Sequence, residues 1–201
     1  MSCSVVWLKD DFRTSYNQAI NALIEDENKE KKIIYIYEKR TYLLCEAQQW
    51  WLAKSLEIFQ KKLENLKISL DVVHENTTKT FKKLISNNSF NRIYWNKSCH
   101  ANDNIIEEDV KKILKENNVF YKEFEANLLN PVGNIKKDDG TPYKVFTHYW
   151  KKAEQNYLRN NHKFDDKKYK NYNQDLKKNK NIGIKNLKNI GNQARKMERK
   201  Y

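Results

Sequence analysis

The chain has 201 residues, 39% hydrophobic and 32% charged, with a formal net charge of +13 and a mean hydropathy of −0.98. No apolar run approaches the roughly 20 residues that span a bilayer, and Met1–Arg13 lacks the basic-then-apolar order of a signal peptide. The four glycines (133, 140, 183 and 191) are too few and too scattered for GxGxxG or GxxxxGKS/T, which excludes a glycine-loop dinucleotide or nucleoside-triphosphate site.

Val5-Val6-Trp7-Leu8 is a short apolar run stopped by Lys9-Asp10-Asp11, the pattern of a buried strand. Ala19, Ile20, Leu23 and Ile24 then recur at helical spacing, and Ile33–Tyr37 forms a second strand. Leu52, Leu56, Phe59, Leu63 and Leu66 step by four, three, four and three, which places all five on one helix face. Ile68–Val73 reads as the third strand, and Thr77 and Thr78 are expected to cap a helix carrying Phe81, Leu84 and Ile85. Arg92–Trp95 is the fourth strand, the stripe Ile105, Ile106, Val110, Ile113 and Leu114 the next helix, and Val119–Phe124 the fifth strand. Asp138–Pro142 is a turn, after which Phe146, Tyr149 and Trp150 open a last helical segment.

Five strand–helix alternations predict an α/β fold, a doubly wound five-stranded parallel sheet with helices on both faces. Ligands of such sheets lie beyond the carboxyl ends of the strands. Those ends are residues 9–13, 37–42, 74–76, 96–102 and 125–129. Charge divides the chain in two. Residues 1–150 hold 23 Lys/Arg and 21 Asp/Glu, whereas residues 151–201 hold 16 and 5. The expectation is an α/β domain over 1–150 and a basic, Lys/Asn-rich linker or tail over 151–201, poorly ordered because it has too few apolar residues to form a core. Such a tail attracts DNA, or is solvated filler in a chain rich in Lys and Asn throughout. Cys3, Cys45 and Cys99 are far apart with no CxxC, so they read as reduced thiols of a cytoplasmic protein. His74, His100, His148 and His162 share no metal-ligand spacing, so no metal site is expected. Cys99 beside His100 does not form a nucleophile pair, because neighbours in an extended segment point apart.

Several strings carry a resemblance to a known family. Val5–Leu8 with Asp11-Phe12-Arg13 and Asn17–Ile20, Gln49–Leu52 with Ser55-Leu56, Ile93–Asn96, Asn127–Leu129 and the exit string Gly140–Thr147 together resemble the N-terminal α/β domain of the DNA photolyase/cryptochrome family. The resemblance covers residues 4 to about 151. The chain departs from the family pattern at Tyr16, at Ser98–Ala101 and at His148.

In that family, this domain holds an antenna chromophore (a folate, deazaflavin or flavin), while a helical domain binds FAD and receives the pyrimidine dimer. The resemblance therefore implies an antenna-type domain of a deoxyribodipyrimidine photolyase without the FAD site. It carries no catalytic residue of its own and is inactive alone, completed by a separate FAD-binding helical chain. Counting from Asn96, it assigns Asn102 and Asp103 to the chromophore, a carboxylate there accepting from a pterin's amino and ring N–H groups. The same two residues also open a helix, where Asn caps well and an acid complements the dipole. Asp11 and Arg13 are expected to form a salt-bridged corner that shapes the loop. The five tryptophans (Trp7, Trp50, Trp51, Trp95 and Trp150) are expected as packing aromatics rather than electron relays. Two alternatives remain at this point: a stand-alone chromophore- or nucleotide-binding module, and a truncated, inactive photolyase remnant.

Overall fold

All six residues of β1 (Cys3–Leu8) are buried, as a central parallel strand covered on both faces must be. The computed structural model describes residues 3–38, 45–125, 128, 130 and 133–159. Along the chain follow α1 (Gln18–Glu25), β2 (Glu30–Ile36), α2 (Glu46–Asn65), β3 (Ser69–Val73), α3 (Thr77–Ser86), β4 (Arg92–Asn96), α4 (Ala101–Glu116), β5 (Phe120–Phe124) and α5 (Phe146–Arg159). The sheet order is β3-β2-β1-β4-β5, and every pairing is parallel. The expected doubly wound architecture is thus the observed one.

Alternation along the strands divides the core into two layers. Val6, Leu8, Ile33 and Tyr35 pack against Ile20 and Leu23 of α1 and Leu56, Phe59 and Leu63 of α2. Val5, Trp7, Ile34 and Ile93 pack on the other face against Phe81 of α3 and Val110 and Leu114 of α4. Register aligns these layers, with Val6 beside Ile33, Trp7 beside Ile34 and Val5 beside Ile93. Burying one side chain of this size stabilises by about 1.5–3 kcal/mol.

Four details correct the expectations. Asn76, not Thr77 or Thr78, caps α3, its Oδ1 accepting from the Lys79 N–H at 3.1 Å. Asn is the stronger cap, and the threonines become the first helical residues. The N-cap position of α4 is His100, so Asn102 is already inside the helix. Ile105 is 64% exposed, because the buried face of α4 runs through Asp103, Glu107, Val110 and Leu114 instead. Only Trp7 and Trp95 are core tryptophans; Trp51 is 68% and Trp150 44% exposed. Trp51 lies off the α2 face that carries Leu56, Phe59 and Leu63, and α5 leaves its aromatic side open.

The tail from residue 160 onward, residues 39–42 at the end of the second strand, and Asn127 and Leu129 lie outside the described residues. Among the described residues, no helix is long and apolar enough to cross a membrane. Also among them, no group of three or more His, Cys, Asp or Glu gathers as a metal site.

Candidate functional site

The sheet order reverses between β1 and β4, so the chain leaves these neighbours toward opposite faces and opens a crevice at their carboxyl ends. Two polar networks frame it, one toward α1 and one toward α4.

The α1 side is a closed corner. Arg13 Nε and Nη2 donate to Asp11 Oδ1 and Oδ2 at 2.7 and 2.8 Å, a bidentate pair. Asn17 Nδ2 donates to Asp11 Oδ2 at 3.2 Å, and its Oδ1 caps α1 by accepting from the Ile20 N–H at 3.0 Å. Asn96, at the end of β4, donates from Nδ2 to Asn17 Oδ1 at 3.0 Å and accepts the Ala19 N–H at 3.2 Å. Asp11, Asn17 and Asn96 thus bind β1, α1 and β4 into one piece, the corner expected of Asp11 and Arg13. The Arg13 side chain is 53% exposed.

The α4 side buries its charges. Lys9 Nζ donates to Glu107 Oε1, and both side chains are almost fully buried. The ammonium also lies 4.3 Å from the centroid of the Trp7 ring. Glu107 Oε1 further accepts the Ser98 N–H at 3.0 Å. Ser98 is the hub: its hydroxyl donates to Asp103 Oδ2 at 2.6 Å and accepts the His100 N–H at 3.2 Å. Burial pushes the Lys9 ammonium below its usual value, against the pull of Glu107. Burial first and the Asp103 carboxylate second push Asp10 up, opposed by His100 and Lys9. One buried cation therefore faces three carboxylates.

Between the networks, Asp10, Asp11, Arg13, Ser98, Cys99 and His100 line a crevice of about 260 Å³, close to the lower end of ligand-site volumes of about 300 Å³. A cleft against Asp103, between Trp7, Tyr35, Glu38 and Thr77, holds only about 20 Å³, room for one water. A third, of about 400 Å³, shares Ser98 and Cys99 but opens toward β5. Its lysines are already neutralised: Lys97 by Glu125 at 2.6 Å, and Lys111 by Glu108 at 2.8 Å and Glu123 at 2.7 Å. A heteroaromatic ring fits the first of these spaces and not the second. Asn102 is exposed on the first turn of α4, while Asp103 is buried behind it with Oδ2 taken by Ser98. The two residues therefore do not present a side-by-side pair to one space. Sequence reasoning missed Lys9, Ser98 and Glu107. The available signal was a glutamate inside the apolar stripe of α4, four residues after Asp103 and three before Val110.

Comparison with known proteins agrees with this architecture. The family model described as DNA photolyase matches residues 4–168. The deoxyribodipyrimidine photo-lyase of Agrobacterium fabrum is 27% identical over 150 residues, covering 75% of this chain and 31% of that protein. The crystal structure of a bacterial class III photolyase from Agrobacterium tumefaciens superposes with a TM-score of 0.70 at 27% identity, over 76% of this chain and 32% of the other. An archaeal photolyase from Sulfolobus tokodaii, solved with two FAD molecules, gives 0.65 at 20% identity, over 77% and 35%. The chain spans about a third of the length of the relatives it matches. Sheet order, switch-point crevice and a family match over most of the residues converge: the chain belongs to the DNA photolyase family and corresponds to its N-terminal α/β domain.

Proposed function

We propose that this chain is the antenna-type domain of a deoxyribodipyrimidine photolyase and that the crevice between β1 and β4 seats its chromophore. The observation that carries this reading is a space of about 260 Å³ at the topological switch point, where doubly wound sheets bind their ligands. Asp10 offers an acceptor to ring N–H groups, and the outer N–H groups of the Arg13 guanidinium, beyond those held by Asp11, offer donors to an anionic edge. Asn102 and Asp103 follow His100 on the first turn of α4, outside the lining of this crevice; the proposal still gives them to the chromophore, Asp103 through Ser98, whose hydroxyl donates to its Oδ2 at 2.6 Å. A folate, deazaflavin or flavin bound there supplies near-ultraviolet or blue absorption and passes excitation on.

The FAD that receives it belongs to a helical partner domain, and damaged DNA is the substrate of that assembly. These 201 residues alone, supplied with FAD, do not split pyrimidine dimers. The net charge of residues 151–201 adds attraction for DNA.

The test is an absorption spectrum across the near ultraviolet and blue of protein purified from its own host, with mass spectrometry of the compound released on denaturation. A folate, deazaflavin or flavin near one per chain is the expected result. A chain that carries no such compound overturns the chromophore reading and leaves a folded, inactive remnant as the better account.

A further inference from the structure

α5 is an amphipathic helix whose aromatic side has no cover among the described residues. Phe146, Tyr149 and Trp150 stand at i, i+3 and i+4, one face of a helix. Phe146 is 72% and Trp150 44% exposed, and Val145 just before the helix is 56% exposed. Their rings are ordered against each other: the Phe146 and Trp150 centroids are 6.2 Å apart at 18°, and Tyr149 lies 6.4 Å from Phe146. In the stretch 146–156 only Ala153 is buried. Three contiguous aromatic rings held at the surface mark an interaction site rather than a scattered exposure.

Charge selects the occupant. Lys144, His148, Lys151 and Lys152 are exposed around the rings. The 42 residues that follow α5 carry thirteen Lys/Arg against four Asp/Glu, interleaved with Phe164, Tyr169 and Tyr172. A second copy of this chain brings the same positive charge to the same face and is repelled. A polyanion with flat faces satisfies both features, because phosphates meet the lysines and bases meet the rings. Duplex DNA hides its base faces in the stack, whereas an unpaired strand offers them.

We infer that the α5 face, Phe146 with Tyr149 and Trp150 framed by Lys144, Lys151 and Lys152, is a stacking platform for single-stranded nucleic acid. The inference rests on the DNA-binding part of the function proposed above and not on its chromophore part.

The experiment titrates the full chain into a fluorescent oligothymidylate and, separately, the same strand annealed to its complement, across a series of salt concentrations. Both rings are exposed, so a Phe146→Ala/Trp150→Ala variant keeps its fold, which circular dichroism verifies, and it keeps its charge. The expected result is tighter binding of the single strand, weakened roughly 10- to 100-fold by the double substitution with the salt dependence unchanged. Lys151→Gln/Lys152→Gln instead flattens the salt dependence. Equal affinity of Phe146→Ala/Trp150→Ala and the parent chain overturns the platform while leaving electrostatic DNA attraction in place. Duplex bound as tightly as single strand also overturns it. A change of oligomeric state on substitution, without oligonucleotide, assigns the face to a protein partner and overturns it too. Failure of the parent chain to bind either nucleic acid overturns both this inference and the DNA part of the proposed function.

Discussion

On the α1 side of β1, polar groups close a corner at the edge of solvent; on the α4 side, the same strand end buries a lysine against a glutamate. The Asp11 carboxylate is shared among Arg13, Asn17 and Asn96, and the Arg13 guanidinium reaches water. Asn17 and Asn96 are buried there too, but they are uncharged, and loss of Arg13 leaves the Asp11 carboxylate still accepting from both of them. The Lys9–Glu107 pair has no such reserve, since both side chains are almost fully enclosed and the remaining contacts run through Ser98. Neighbouring groups at one strand end therefore carry different energetic stakes, and the number of partners left to a buried charge sets the difference.

The largest expected effect is Glu107→Ala. It strands a buried ammonium and costs about 3–5 kcal/mol, read as a fall in the urea midpoint. Replacing both partners, Lys9→Met with Glu107→Leu, removes the stranded charge and recovers most of that loss. A Glu107→Ala cost as small as that of a surface pair breaks the comparison. Asn17→Ala comes next. It removes the α1 cap and the acceptor for Asn96, for a loss of roughly 1–2 kcal/mol in the same measurement.

Asp10→Asn sharpens the comparison through pH. The folded Asp10 carboxyl titrates above its ordinary 3.8, so the folded state holds this proton more tightly than the unfolded chain. The favourable contribution is present below 3.8 and is lost as pH rises through the raised folded value. The Asp10→Asn variant keeps that contribution at neutral pH and melts slightly higher, by less than about 1 kcal/mol because the residue meets solvent. The variant and the parent chain converge in acid below 3.8. A gap that widens toward acid contradicts a raised Asp10 carboxyl, and with it burial first and Asp103 second as its cause. The smallest effect belongs to Arg13→Ala, below about 1 kcal/mol and shrinking further in high salt.

The same contrast explains what was legible in the sequence. β1, β2 and β4 announce themselves as apolar runs because central parallel strands are covered on both faces. The Asp11–Arg13 corner was legible as well, since both lie in a string that marks the family; that Asn17 and Asn96 close it was shown only by the fold. Lys9 and Glu107 were not. Lys9 reads as the charge that stops β1, Glu107 is marked only by its place inside the α4 stripe, and only the fold brings residues 98 positions apart into one pair. Asn102 and Asp103 come from counting along the chain, but counting does not reveal that the helix starts at Ala101 and turns one outward and the other inward. Trp150 reads as packing because an aromatic beside a helical stripe usually packs, and α5 leaves it open.

The claim on which the functional account stands is that a chromophore lies between β1 and β4. Amide chemical shifts of the labelled chain, followed during separate titrations with flavin mononucleotide, methenyltetrahydrofolate and a deazaflavin, test it most directly. The account predicts that at least one of the three shifts a contiguous set comprising Asp10–Arg13 and Ser98–Asp103, leaving β3 and α2 unmoved. Shifts confined to another surface, or none with any of the three compounds, contradict it.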